Sequence, residues 1–334
     1  MSRPRRSLAL ALSASALVLA LVGGVAVGSG KATLGDLFAP ASPGHAIVAG
    51  YRLPRVLLGA VAGAGLAGTG AAFQTVLRNP LADPYLLGVA GGAALGATIA
   101  IAAGAGASAA FAMLAVPGAA LAGGAAATAL VWAMARGGQV TGASLLLAGF
   151  VVNAITNACI LFVEAVADPH NLQALVWWFM GYIDAPAWSR LALVAGAEAI
   201  GLAVLLSDSA RMNLLALGDD AARALGVDVR ALERRCLLAC AAVVGAVVSA
   251  AGPIGFIGLV VPQAMRRIVG PDLRLLLPVS SFAGAAVLVV CDTLVRLLAP
   301  AIHTELPVGA VTALLGGPMF LWLLARRARG APAA

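Results

Sequence analysis

The chain has 334 residues, of which 62% are hydrophobic and only 10% charged, with a mean hydropathy of +1.00. Soluble domains carry about 25% charged residues, so a water-soluble enzyme or regulator is excluded. The net charge of +7 would suit nucleic acid, but the basic residues lie in short clusters between uncharged runs, which is a membrane-topology pattern and implies no nucleic-acid partner.

The opening "MSRPRRSLALALSASALVLALVGGVAVGSG" is apolar over 7–28. That is longer than the core of a secretion signal, and the stretch reads as a first transmembrane helix. Apolar runs follow at 54–76, 84–106, 110–135, 144–163 and 188–207, each suited to one crossing of ~30 Å of hydrocarbon. The stretch 208–235 is polar. Residues 236–265 are then uncharged, a length that would make a helix of about 45 Å, too long for one span. Within it "AAGPIGFIG" supplies Gly252, Pro253 and Gly255, which break a helix, so a full span and a shorter one are expected. Two more runs, 275–298 and 306–325, complete ten. The fold class is therefore an all-α polytopic membrane protein, one transmembrane domain over 1–334 with a large loop at 208–235.

Charge tests this count independently. With the N-terminus inside, 16 of the 21 basic residues fall on cytoplasmic segments, the exceptions being Lys31, Arg52, Arg55, Arg190 and Arg296. That asymmetry is what the positive-inside rule expects of a plasma-membrane protein with both termini cytoplasmic. Reading 236–265 as a single span would put the C-terminal arginines outside. Small residues recur every four positions at Gly88, Gly92, Gly96, Ala100 and Gly104, and again at Gly59, Gly63 and Ala67, a spacing that lets helices approach closely.

Chemistry-bearing residues are few. Cys236 and Cys240 lie one turn apart, but no His or carboxylate joins them, and with Cys159 and Cys291 they read as small buried residues. His45, His170 and His303 fall on outer loops and read as solvated. No metal site or cofactor is expected. "VAVGSGKAT" superficially suggests a phosphate loop, yet Ala32 stands where Ser or Thr is required. No ATPase is encoded in these residues. Ion-coupled carriers place carboxylates or His mid-membrane, and here only Glu198 sits clearly inside a span, with Asp292 near an outer end. A stand-alone ion-coupled carrier is thus the alternative with less support.

"RLPRVLLGAVAGAGLAGTGAAFQTVLRNPLADPYLLGVAGGAALG" closely resembles the signature of the iron-chelate/vitamin B12 family of ABC-importer permeases, the type II importers. "LGDDAARALGV", "GPIGFIGLVVPQAMRRIVGPDLRLLLPVSS", "DTLVRLLA" and "ELPVGAVTALLGGPMFLWLL" agree with it in order, over about residues 50 to 325. The chain departs from the family at Gln263, where a His is usual; a glutamine hydrogen-bonds but cannot titrate.

The resemblance implies a permease with no enzymatic activity of its own. It implies a homodimer with two cytoplasmic ATP-binding subunits and a periplasmic binding protein, in a bacterial inner membrane, importing a ferric siderophore, haem or cobalamin. Arg52, Arg55 and Arg296 would meet acidic residues on the binding protein, the competing reading being helix-end anchors. Leu217, Gly218, Asp219, Asp220, Ala221, Ala222, Leu225 and Gly226 would form the coupling helix seated on the ATPase, with Asp219 as N-cap, Gly226 as stop and a second helix starting near Asp228. Asn153 and Asn157, four apart on the fifth span, would line a pathway between two copies, with Gln74 a further lining candidate. Gly142 and Ala143 would form the cytoplasmic gate.

Overall fold

The computed structural model describes residues 3–28, 32–105, 109–135, 142–167, 178–302, 304 and 306–328. Among these there are twelve α-helices, with four short 3-10 or π turns between the first and the fifth. In chain order they are α1 (Arg3–Ala26), α2 (Pro43–Ile47), α3 (Leu53–Val76), α4 (Val89–Ala100) and α5 (Ala109–Ala135). After them come α6 (Gly142–Val166), α7 (Trp188–Leu215), α8 (Asp219–Ala224) and α9 (Val229–Ala251). The last three are α10 (Ile257–Val269), α11 (Leu273–Ile302) and α12 (Val308–Ala328). Seven helices in the described residues are long and apolar enough to cross a membrane, and Val89–Ala103 and Val308–Trp322 are shorter apolar helices. With the half-span α10, the ten expected membrane segments are present.

The break between α9 and α10 lies where glycine and proline placed it. Gly252 ends α9 at φ 68, and Phe256 caps α10 at φ 70, a left-handed conformation that costs a non-glycine residue about 1–2 kcal/mol. Gly316 of α12 makes room for it: a Cβ at Gly316 would overlap the Phe256 ring. At 13 residues α10 is about 20 Å long, enough to return from mid-membrane but not to cross it.

Close backbone approaches hold the bundle. A Cβ on Gly63 would collide with the Gly284 backbone of α11, one on Gly70 with Gly258 of α10, and those on Gly92 and Gly96 with Gly123 and Ala119 of α5. The small-residue spacing thus marks the α3–α11 and α4–α5 seams. Within lipid, where burial of apolar surface gives helices little reason to associate, such tight seams supply dispersion contact. Helix α3 is the axis: nearly all of it from Pro54 to Val76 is buried.

Two boundaries differ from the expectation. Helix α7 runs on to Leu215, eight residues past 207, because Asp208 is buried there and bridges Arg211 at 2.9 Å and Arg235 at 3.1 Å. The polar loop is correspondingly shorter. Gly218 (φ 118), not Asp219, is the N-cap of α8, and Asp219 is its first residue.

The charge sorting reappears as geometry. Arg6 pairs with Asp272 at 3.3 Å, Arg78 pairs with Asp219, Arg266 donates to Thr75 at 3.2 Å, and Arg267 lies 5.6 Å over the Trp322 ring. All of these gather at one end of the bundle. Arg52, Arg55 and Arg296 collect at the other.

Candidate functional site

At the arginine-poor end, α1, α3 and α11 meet around one carboxylate. Asp292 accepts from Arg55 Nε at 3.1 Å through Oδ1 and from Arg296 Nε at 3.0 Å through Oδ2. Arg55 is 1% exposed; its Nη1 donates to the Tyr51 hydroxyl at 3.1 Å and its guanidinium lies 5.4 Å from the Tyr182 ring centroid. Arg296 reaches the Val27 carbonyl at 2.8 Å and the Thr293 hydroxyl at 3.2 Å. Arg52 donates to Ala32 O at 3.0 Å and, at 3.4 Å, to Val25 O and Ala26 O, the orphan carbonyls at the end of α1. Gly28 leaves the space that the Arg52 guanidinium fills.

Those distances show where the three arginines expected to meet a binding protein sit within the chain. Arg52, Arg55 and Arg296 are all buried and bonded within the chain, so they are not an exposed face at the mouth. A long side chain with a donor fork is suited to both tasks, and sequence spacing does not separate them. Asp292 was the signal: in an apolar helix, an aspartate four residues before an arginine satisfies that arginine internally.

The opposite end is built differently. Helix α8 packs inward only through Ala222, while Leu217 is 68% and Leu225 59% exposed, with Asp220, Ala221 and Arg223 also facing out. Gly226 (φ 83) stops the helix as expected, and Val227 N closes back on Ala222 O at 3.0 Å, a Schellman-type cap. Asp228 caps α9, accepting from Ala231 N at 3.0 Å. Asp219 is held between Arg78 and Arg223, and Arg223 also bonds Asp220 at 3.0 Å. The result is a short, oriented helix that presents an alanine to solvent and is flanked by two exposed leucines. An exposed apolar group with a charged rim, braced from behind, is what a protein partner uses.

The pathway candidates separate. Gln74 is buried, donating to Gly258 O at 3.3 Å and Leu259 O at 3.1 Å and accepting from Gln263 Nε2 at 2.8 Å. It fastens α3 to the first turn of α10, where Pro262 has no N–H to offer the Gly258 carbonyl, and faces no open space. Gln263 also donates to Pro80 O at 2.9 Å. One amide nitrogen with two protons serves both acceptors, which gives the glutamine at this position a structural reason. Thr69 bonds back within α3 at 2.7 Å. Asn153 is half-buried, donating to Tyr85 O at 3.2 Å, whereas Asn157 is exposed among Phe150, Ile155, Leu161 and Phe162 on the outer face of α6. Gly142 and Ala143 form the first turn of that helix.

Three cysteines are buried and Cys159 is exposed. His45 shares a hydrogen bond with Asp36 O at 3.0 Å; His170, His303 and Lys31 lie outside the described residues. No group of His, Cys, Asp or Glu among the described residues could hold a metal ion.

With the geometry established, comparison with known proteins places the chain. The model of the FecCD transport family matches residues 16–326. The chain belongs to that family. It is 42% identical over 282 residues to the cobalamin import system permease protein BtuC of Halobacterium salinarum, covering 84% of this chain and 74% of that one. It is also 42% identical over 278 residues to the hemin transport system permease protein HmuU of Yersinia pestis, covering 83% and 82%. A solved structure described as an inward-facing conformation of a metal-chelate type ABC transporter superposes with a TM-score of 0.84 at 29% identity, over 96% of this chain and 99% of that one. The FecCD member described here is therefore a multi-pass membrane permease with the fold of that transporter.

Proposed function

We propose that this chain is the permease subunit of an importer for a metal chelate, a ferric siderophore, haem or cobalamin, driven by ATP hydrolysis in a separate subunit. The observation that carries the reading is the braced helix α8 with the exposed Leu217 and Leu225 that flank it, which have no use inside one chain, in a protein whose relatives are permeases of import systems. Two copies would enclose the pathway, with the exposed Asn157 face of α6 turned towards the partner copy. The basic end, with α8, faces the cytoplasm by the positive-inside rule, so both termini are cytoplasmic and the ATP-binding subunits seat on α8. A soluble binding protein docks at the other end, on the collar formed by residues 34–52, where Phe38 is 85% exposed. Behind that collar, Arg55 and Arg296 fix the helix ends it rests on, and Arg52 ties its last residue to the end of α1.

Proteoliposomes decide the reading. Loaded with ATP and containing this chain with its ATP-binding subunit, they should take up the chelate delivered by the binding protein. Omission of either the ATP or the ATP-binding subunit should abolish uptake. Uptake driven by a proton or sodium gradient with this chain alone would make it a secondary carrier and overturn the proposal.

A further inference from the structure

Helices α5 and α9 run antiparallel and leave between them an elongated groove of about 540 Å³. Its floor is small, formed by Ala125, Ala129, Ala241, Ala242 and Gly245, and its walls are Leu121, Leu237 and Leu238. The hydroxyl of Thr128 is turned back to Gly124 O at 2.8 Å, so the groove presents no unsatisfied polar group. At Gly245 the groove closes, because Leu121 stands 3.5 Å from where a Cβ would be. At its other end stand Trp132 and Arg234.

Length is the informative quantity. From Arg234 to Gly245 along α9, and from Trp132 to Leu121 along α5, the rise is about 16 Å. Half of a ~30 Å hydrocarbon core is about 15 Å. The groove therefore runs from the membrane–water boundary to the bilayer centre, with a tryptophan at the depth where tryptophans gather. Arg234 and Arg230, one turn apart, are exposed at that boundary, and among the described residues neither has an ion-pair partner, whereas the neighbouring Arg235 is committed to Asp208 at 3.1 Å. A wet cavity is excluded by the lining.

We infer that the α5–α9 groove is a phospholipid site, holding one acyl chain of an anionic lipid whose phosphate sits against Arg234 and Arg230. An acyl chain fills the length and the apolar lining, and a phosphate supplies the charge that the two arginines lack. This site is independent of the transport reading, since it requires only that α5 and α9 cross a membrane.

The test uses the full chain in nanodiscs of phosphatidylcholine and phosphatidylglycerol with matched acyl chains, counting lipids retained after mild detergent extraction by native mass spectrometry. Wild type should retain phosphatidylglycerol preferentially. Arg234→Gln should lower that retention about fivefold, the weight of one cation near a membrane surface, and leave phosphatidylcholine unchanged. Ala242→Trp, which fills the floor from an exposed position, should displace both lipids while the thermal midpoint holds. Equal phosphatidylglycerol retention by wild type and Arg234→Gln would overturn the headgroup assignment. Lipid counts untouched by Ala242→Trp, or loss of the permease dimer in its place, would overturn the site, the latter by giving the groove to a second copy of the chain.

Discussion

Two aspartates each hold two arginines, at opposite ends of the bundle. Asp292 and its partners Arg55 and Arg296 are enclosed, the aspartate side chain 2% exposed; Asp219, between Arg78 and Arg223, is 32% exposed. The ionic arrangement is the same and its consequences differ, because water decides what an ion pair is worth. In the enclosed cluster a missing partner leaves a charge that water does not compensate, so the cluster ties α1, α3 and α11 into one state. In the open one, water compensates, and the pairs orient α8 without holding the fold. The Asp292 cluster is built to hold the fold and the Asp219 brace to present a surface.

The sharpest way to break that comparison is to remove each aspartate. Asp292→Ala removes the carboxylate that the buried Arg55 and Arg296 share and should destabilise the permease by about 3–5 kcal/mol, read as a large fall in the thermal midpoint or in folded yield. The double variant Asp292→Asn, Arg55→Gln should cost less than its two single changes added together, since each single change strands what the other removes. Arg55→Glu belongs with this group: it sets two carboxylates against each other inside the cluster, so loss of binding-protein docking in that variant would report unfolding and not a lost contact.

A second variant sharpens the comparison within the basic end. Gln263→Leu leaves the Gln74 Oε1 and Pro80 carbonyl without their donor and should cost about 1–3 kcal/mol in thermal unfolding, between the two aspartates. Asp219→Asn in the open pair should cost under about 1 kcal/mol by the same measurement. A cost for Asp219→Asn equal to that for Asp292→Ala would remove the distinction between the two ends.

How much of this was legible in the residues follows the same division. Backbone rules are local, so Gly252, Pro253 and Gly255 located the break, Gly226 the end of α8 and Asp228 the approximate start of α9. Glycine spacing marked the α3–α11 and α4–α5 seams, because only a residue without a side chain permits that approach. The sorting of arginines to two ends was legible from their positions alone. Their partners were not. An arginine near the end of a span reads identically whether it faces a second protein or an aspartate some 240 positions away, and only the fold brings Asp292 against Arg55. Gln74 is a second case, since a polar residue in a span signals a group to be satisfied without saying whether a cavity or the first-turn carbonyls of α10 satisfy it. The extension of α7 to Leu215 was hidden by Asp208, whose charge suggests a loop until Arg211 and Arg235 are seen around it.

The smallest expected effect on stability carries the most direct test of α8 as the coupling surface. Ala221 is exposed on α8, and a carboxylate there suits the first turn of a helix, so Ala221→Asp should leave the thermal midpoint within about 0.5 kcal/mol of wild type. Gly226→Pro is unsuitable for this purpose, because φ 83 and the Gly226 N–H bond to Arg223 O are both denied to proline. The decisive measurement is the amount of ATP-binding subunit that co-purifies with Ala221→Asp, alongside its thermal midpoint. The account predicts an intact permease that has lost most of the bound subunit. An intact permease carrying that subunit at wild-type stoichiometry would contradict it.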